Sequence, residues 1–199
     1  MTKQRLKSPR ARMFIALDLP DEVRSALVAW GRGDLRDPAL RPVPEASLHI
    51  TLAFLGYLPE KEIQRLAAII EGRAGPAPRV ELGDPVGRPE RGRPRLFALP
   101  ASSPMTVDMQ GRLQEELVEA RLYEPEKRPF WPHVTVARVR REKRGSSRPA
   151  PVSRRPGGLP KDLLRSFGGV RLTLYRSELQ PQGAQYTPLA QVELPDGRQ

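Results

Sequence analysis

Two short segments contain residues whose types and spacing could do chemistry. The chain has 199 residues but only two histidines, and each is followed two positions later by a threonine: His49 with Thr51, and His133 with Thr135. Threonine is scarce in this sequence, so a chance match at both histidines has a probability of roughly one in a thousand, low enough to outweigh the false-positive risk of short motifs. We interpret the two segments as two copies of one functional element.

Apolar residues alternate with this histidine and threonine in both segments, as expected of half-buried strands. On such a strand the imidazole and the hydroxyl share one face, and the apolar residues take the other. If a pseudo-twofold axis relates the strands, the two polar faces can meet across a cleft. Two imidazoles with pKa values near 6.5 can then divide the work of a general base and a general acid. The hydroxyls and a nearby arginine could bind a phosphate.

Other kinds of chemistry find less support. The chain has no cysteine, which excludes disulfides and thiolate chemistry. Two histidines can contribute to a zinc site, but a third protein ligand is normally needed, and no carboxylate lies four residues after either histidine. A nucleophile elbow, a P-loop and a dinucleotide fingerprint are all missing from the sequence. A purely structural duplication remains an alternative, although it gives no reason for imidazole at both positions.

The charge of the chain indicates a polyanionic partner. The formal net charge is +11, and basic residues are concentrated between Arg138 and Arg155. Residues 140–160 are also rich in Pro, Gly and Ser, which predicts a mobile basic loop, and a solvated surface is the alternative interpretation of its charge. Residues 1–11 are expected to form a disordered basic lead-in. No apolar run is long enough to span a membrane, and we expect a cytoplasmic protein.

The elements that must position the histidines can be placed from the sequence. An apolar strand at 13–19 precedes a helix opened by Pro20 and ended by Gly31 and Gly33. The first His-x-Thr strand, at 48–55, precedes a second helix from Pro59. Two strands and a third helix at about 104–122 lead to the second His-x-Thr strand at 130–139. A short helix at 161–167 and two closing strands, at 170–178 and 185–194 and joined by a turn at 181–183, complete the chain.

These residues resemble a known family. The chain is similar over nearly its full length to the 2H phosphoesterase superfamily, and most of all to the RNA 2',3'-cyclic phosphodiesterases, also called 2'-5' RNA ligases. The resemblance is carried by RMFIAL (12–17), LHITLAFLG (48–56), PFWPHVTVAR (129–138), VRLTLYRSEL (170–179) and GAQYTPL (183–189).

The resemblance implies an α+β fold, bilobal and duplicated about a pseudo-twofold axis. Antiparallel sheets would line a central groove, with helices packed outside, in a single domain at 12–199. It also implies metal-independent hydrolysis of RNA 2',3'-cyclic phosphate ends to 2'-phosphomonoesters, without a cofactor. His49 corresponds to the proton donor and His133 to the proton acceptor.

Further residues follow from the same resemblance. Thr51 and Thr135 would hold the phosphate, and Arg138 would add a phosphate contact. Phe14 would line the nucleoside side of the groove or pack in the core, and Tyr186 would lie near the groove or pack. The partner would be RNA with a cyclic phosphate end, tRNA fragments among the candidates, and the protein would act as a monomer. An RNA-binding module with a non-catalytic groove and a reversible 2'-5' RNA ligase are the alternatives.

Overall fold

The computed structural model of the protein describes residues 9–73, 75–180 and 183–195. Most of the predicted lead-in, and two of the three residues of the predicted turn at 181–183, lie outside these ranges. The first strand begins at Arg10, so the predicted boundary of the lead-in at residue 11 is too late. Arg10 and Ala11 belong to the sheet because they pair with Pro59 and Leu58.

In the residues that the structure describes, the fold contains ten strands and three α-helices. The first half contains β1 (Arg10–Asp18), α1 (Asp21–Asp34), β2 (Leu40–Pro42), β3 (His49–Pro59) and α2 (Ile63–Glu71). The middle contains β4 (Arg79–Leu82), β5 (Val86–Arg88), β6 (Leu96–Ser102) and α3 (Pro104–Glu119). The last part contains β7 (His133–Val139), β8 (Phe167–Gly168), β9 (Arg171–Gln180) and β10 (Gly183–Glu193), and short 3₁₀ turns cover Glu45–Ser47, Glu60–Glu62 and Lys161–Leu164.

Local sequence explains the helix boundaries, with one correction. Ser103 caps α3 by accepting a hydrogen bond from the Thr106 amide at 3.1 Å, and Pro104 occupies the first helical position. The expected end of α1 at Gly31 and Gly33 is wrong, because the helix continues to Asp34. A Cβ atom at Gly31 would lie 3.0 Å from the Leu35 side chain, so this glycine serves close packing rather than termination.

All the strands belong to one antiparallel sheet, which divides into two halves. The order is β10-β9-β1-β3-β7-β6-β4-β8, with β2 paired to β7 and β5 paired to β6. The halves meet where β3 runs beside β7, and they pair there only through Ile50 and Val134. The predicted α+β architecture is confirmed.

The hydrophobic core lies on one face of the sheet, under the helices. Leu27 of α1, Leu66 of α2 and Leu113 of α3 are buried in the same cluster as Ile50 and Val134. The opposite face of the two central strands carries both His-x-Thr pairs. No helix in the described part of the chain has the length and apolar character needed to cross a bilayer.

A bulge follows the His-x-Thr pair in each central strand. In β3 the pairing to β1 skips one residue between Thr51 and Ala53, and in β7 the pairing to β6 skips one residue between Thr135 and Ala137. A bulge reverses the alternation of faces beyond it. The fifth residue after each histidine therefore returns to the polar face and is exposed: Phe54 in one half and Arg138 in the other.

The segment that follows β7 is not the unstructured loop that its composition predicts. Its first part turns back on itself: the Ala150 amide donates to the Arg140 carbonyl at 2.8 Å, and Arg141 bridges to Pro149. Farther along, the carboxylate of Asp37 accepts hydrogen bonds from the amides of Ser153 and Arg154, both at 2.7 Å. Backbone hydrogen bonds and the Asp37 carboxylate thus hold a segment whose Pro, Gly and Ser content predicts a mobile loop.

Candidate active site

The pairing of β3 with β7 brings the two histidines together. From the pair Ile50–Val134, antiparallel geometry places His49 opposite Thr135 and Thr51 opposite His133. The two imidazoles then occupy diagonal positions, with Cβ atoms roughly 7 Å apart. Their proximity also appears in their electrostatics, because charge on His133 lowers the pKa of His49. The two imidazoles therefore lie on one face of the sheet and close to each other.

His133 is held with one nitrogen engaged by the backbone. Its Nδ1 lies 2.7 Å from the carbonyl oxygen of Trp131, and its ring stacks on the indole at 4.3 Å. A carbonyl can only accept, so Nδ1 carries the proton and donates, and in neutral His133 the lone pair lies on Nε2. Burial lowers the pKa of His133, the Trp131 hydrogen bond opposes this shift, and the charges of Arg88 and Arg138 lower it further.

His49 lies in an aromatic environment. Its ring stacks on Phe14 at 5.0 Å and meets Tyr186 edge-on at 5.5 Å, and its Nδ1 is buried without a hydrogen-bond partner in the described residues. Nε2 is therefore the nitrogen left for a ligand. Burial lowers the pKa of His49 to about 4, the charges of His133 and Arg138 add to this shift, and Asp18 opposes it. The free imidazole is thus neutral at pH 7, and a bound phosphate anion would raise its pKa.

Asp18 is a buried carboxylate beside His49 that was not predicted from the sequence as a site residue. It is directly opposite His49 in the pairing of β1 with β3 and is only 1% exposed. It accepts hydrogen bonds from Arg171 Nε at 2.8 Å, Thr173 Oγ1 at 2.8 Å and Tyr175 Oη at 3.0 Å. Burial and this carboxylate raise the pKa of Tyr175 to about 12. An acid at the end of an apolar strand was the available signal, but the sequence does not show that three donors converge on it.

The other predicted residues differ in their placement. Thr51 and Thr135 are partly exposed on the polar face, and neither hydroxyl hydrogen bonds to any residue that the structure describes. Arg138 is exposed on the same face, close enough to lower the pKa of both histidines. Phe14 is 2% exposed between His49, Tyr175 and Tyr186, so it has no open ring face for a nucleoside. Phe14 therefore packs among these rings, and Tyr186 is partly buried against it.

The support for His133 was not predicted from the sequence. Arg88 of β5 places its guanidinium carbon 4.0 Å from the centre of the Trp131 ring, on which His133 stacks. The short spacing from Trp131 to His133 was visible in the sequence, but the contribution of Arg88, more than forty residues earlier, was not. In the part of the chain that the structure describes, no three histidine or acidic side chains gather as a metal-binding group.

Comparison with known proteins shows which class of protein has this fold and this arrangement of histidines. A sheet of two halves, each with one His-x-Thr strand at a shared groove, is the architecture of a 2H phosphoesterase. Within this class, the family model of the 2'-5' RNA ligase superfamily matches residues 19–153, which include both motifs. The chain belongs to this superfamily.

Individual relatives agree with the family match. A protein of Thermus thermophilus named RNA 2',3'-cyclic phosphodiesterase is 33% identical over 190 residues, covering 92% of this chain and 90% of the relative. A protein of the same name from Escherichia coli is 28% identical, covering 89% and 93%.

Among solved structures, the crystal structure of TT0787 of Thermus thermophilus superposes with a TM-score of 0.73 at 33% identity, covering 94% of this chain and 100% of that one. The crystal structure of E. coli LigT complexed with 3'-AMP has a TM-score of 0.71 at 26% identity, covering 94% and 99%. Both the fold and the sequence of this chain therefore match this family along nearly its whole length.

Proposed function

We propose that the protein hydrolyses the 2',3'-cyclic phosphate end of RNA to a 2'-phosphomonoester, without a metal ion. The observation that carries the proposal is the placement of His49 and His133 on one face, on either side of a single residue pair. Relatives named for this activity, at 28–33% identity over about nine tenths of the chain, support the substrate class. The proposal places the protein in the cytoplasm, where RNA is its partner, and has it act as a monomer.

His133 would act as the general base. Its neutral form has the Nε2 lone pair free, since Nδ1 donates to the Trp131 carbonyl. Nε2 takes a proton from a water molecule as the water oxygen attacks phosphorus. Positive charge on Arg88 and Arg138 favours the neutral form that this role requires.

His49 would act as the general acid. Nε2 of its protonated form gives a proton to the 3'-oxygen as the bond from that oxygen to phosphorus breaks. The phosphate then remains on the 2'-oxygen, and the 3'-hydroxyl is free. The acidic group of Asp18 raises the pKa of His49, and a bound phosphate diester would act in the same direction, so the imidazolium is favoured when substrate is present. Proton exchange with solvent restores both imidazoles after each turnover.

Three further groups would stabilise the charge that develops on the phosphate. The unengaged hydroxyls of Thr51 and Thr135 lie opposite the two histidines and can donate to the non-bridging oxygens. Arg138 supplies a positive charge on the same face. Because these groups are already in place, they add stabilisation in the transition state without reorganisation.

The proposal is tested by incubating the purified protein, with an excess of chelator, on an oligoribonucleotide ending in a 2',3'-cyclic phosphate. We expect full hydrolysis, with the phosphate on the 2'-oxygen as identified by ³¹P NMR. Binding of the RNA without turnover would indicate instead a non-catalytic binding module. Activity that disappears on chelation would contradict metal-independent catalysis, and a 3'-phosphate product would contradict the assigned leaving group.

A further inference from the structure

We propose that the segment 140–150, here named the basic hairpin, binds the backbone phosphates of the RNA that precede the reactive end. The proposal rests on the proposed function and extends it from the end group to the rest of the strand. The basic hairpin is a direct continuation of β7, the strand that carries His133. Amides of Arg140, Glu142 and Ala150 hydrogen bond to the carbonyls of Ala39, Arg148 and Arg140 at 2.7–2.9 Å.

The acids of this region are already engaged. Glu142, the acidic residue of the basic hairpin, pairs with Arg93 at 2.9 Å and with Arg148 at 3.7 Å. The arginine at 93 also donates to the Pro149 carbonyl at 3.1 Å, which fixes the returning strand. Asp37 accepts backbone hydrogen bonds from Ala39, Ser153 and Arg154. Glu142 thus neutralises Arg93 and Arg148, and Asp37 is occupied by backbone amides. Neither carboxylate pairs with the other basic side chains of the hairpin.

The resulting positive charge is concentrated in one place. Elsewhere in the described residues, some half-buried arginines pair with acids, as Arg171 does with Asp18 and Arg176 with Glu60, and the exposed arginines without an ion pair, such as Arg112, are more widely spaced along the chain. Within the described part of the chain, no carboxylate forms an ion pair with the following exposed residues of this region: Arg138, Arg140, Arg141, Lys143, Arg144, Arg154 and Arg155. Unneutralised charge of one sign is a cost to the folded state that a polyanion would remove.

The positive charge of the hairpin also begins next to the site where the reactive phosphate would bind. The bulge in β7 returns Arg138 to the face of His133 and Thr135, and Arg140, two residues farther, is also exposed. These two positions are roughly 6.6 Å apart along the strand. Positive charge therefore begins at the catalytic groove and continues outward to Lys143 and Arg144 at the tip. An RNA strand with its cyclic end in the groove presents a row of phosphates that matches this arrangement.

The test compares two substrates, an oligoribonucleotide and a mononucleoside, that both end in a 2',3'-cyclic phosphate. In the double variant Arg140→Gln/Arg144→Gln we expect kcat/KM for the oligoribonucleotide to fall about fivefold at low salt, as for two exposed ion pairs. We expect kcat/KM for the mononucleotide to stay within twofold of wild type. The salt dependence for the oligoribonucleotide should weaken by about 0.7 log units per log unit of salt for each phosphate that the variant no longer binds.

The matched control is Arg112→Gln, the same change at an exposed position on α3. It should leave both substrates and the salt dependence unchanged. An equal loss for both substrates, or the same loss in the control, would overturn the proposal. Binding of the oligoribonucleotide to His133→Ala protein, followed by fluorescence anisotropy, tests the basic hairpin even if the wild type hydrolyses neither substrate. The hairpin proposal then fails if the Arg140/Arg144 substitutions do not weaken that binding.

Discussion

Replacing His133 with alanine will lower the single-turnover rate on RNA ending in a 2',3'-cyclic phosphate by roughly 10²–10⁴-fold, the usual contribution of one positioned proton transfer. His49→Ala will cause a loss of the same order, because protonation of the leaving oxygen and activation of water belong to the same step. The double variant will cost little more than either single variant, since the two groups act as a unit. Quenched-flow or gel-based kinetics at saturating protein measures the single-turnover rate of each variant.

Folding must be unaffected for that result to count. His133 lies outside the hydrophobic core cluster and is partly exposed, so the free energy of unfolding of His133→Ala should stay close to that of the wild type. His49→Ala also removes ring contacts with Phe14 and Tyr186, so a moderate loss of stability is expected while the protein stays folded. Circular dichroism and thermal unfolding provide the control. A folded His49→Ala or His133→Ala protein with near-normal turnover would remove the basis for acid–base catalysis at these positions.

Asp18→Ala will have the largest effect on stability. The substitution leaves a guanidinium and two hydroxyls without their shared acceptor, in a place where water has little access. Loss of one partner of a buried ion pair typically costs 3–5 kcal/mol, and because Arg171 keeps 28% exposure of its side chain we expect about 3 kcal/mol here. Urea unfolding followed by tryptophan fluorescence measures the change in the free energy of unfolding.

Asp162→Ala is the matched control, because Asp162 and Arg165 form an ion pair with side chains 89% and 82% exposed. Its loss should change stability by less than about 0.5 kcal/mol. If both aspartate variants were equally stable, the hydrogen bonds around Asp18 would not contribute to the fold as described.

The sequence was sufficient for the fold class, and the structure places both predicted histidines and both predicted threonines on one face of the sheet. The period-2 alternation around His49 and His133 predicted which face each imidazole takes, and the resemblance implied that the two polar faces line one groove. The direct pairing of the two His-x-Thr strands was not predicted. Strand alternation alone, however, would place Arg138 on the core side of β7, five residues from the histidine. The bulge before Ala137 moves Arg138 to the face of His133. This bulge depends on the pairing of β7 with β6, which the local sequence does not specify.

Features that depend on distant contacts were not predictable. Phe14 was assigned alternative roles because its burial is decided by Tyr175 and Tyr186, more than 160 residues away. The basic hairpin was interpreted as a mobile loop because its composition is typical of one, while Arg93 and Asp37 hold it through tertiary contacts. Asp18 has three donors from β9, none of them visible as a motif.

The central claim, that both imidazoles reach one phosphate, is tested most directly by NMR of the two histidine Hε1 signals. In the free protein we expect both pKa values below 6.5, with His49 near 4, because burial opposes protonation in each case. Titration with a nucleoside 2'-monophosphate should shift both signals with one dissociation constant and raise both pKa values, since the anion favours both imidazolium forms. A signal that does not respond, or two different dissociation constants, would show that the histidines do not share a phosphate and would contradict the account.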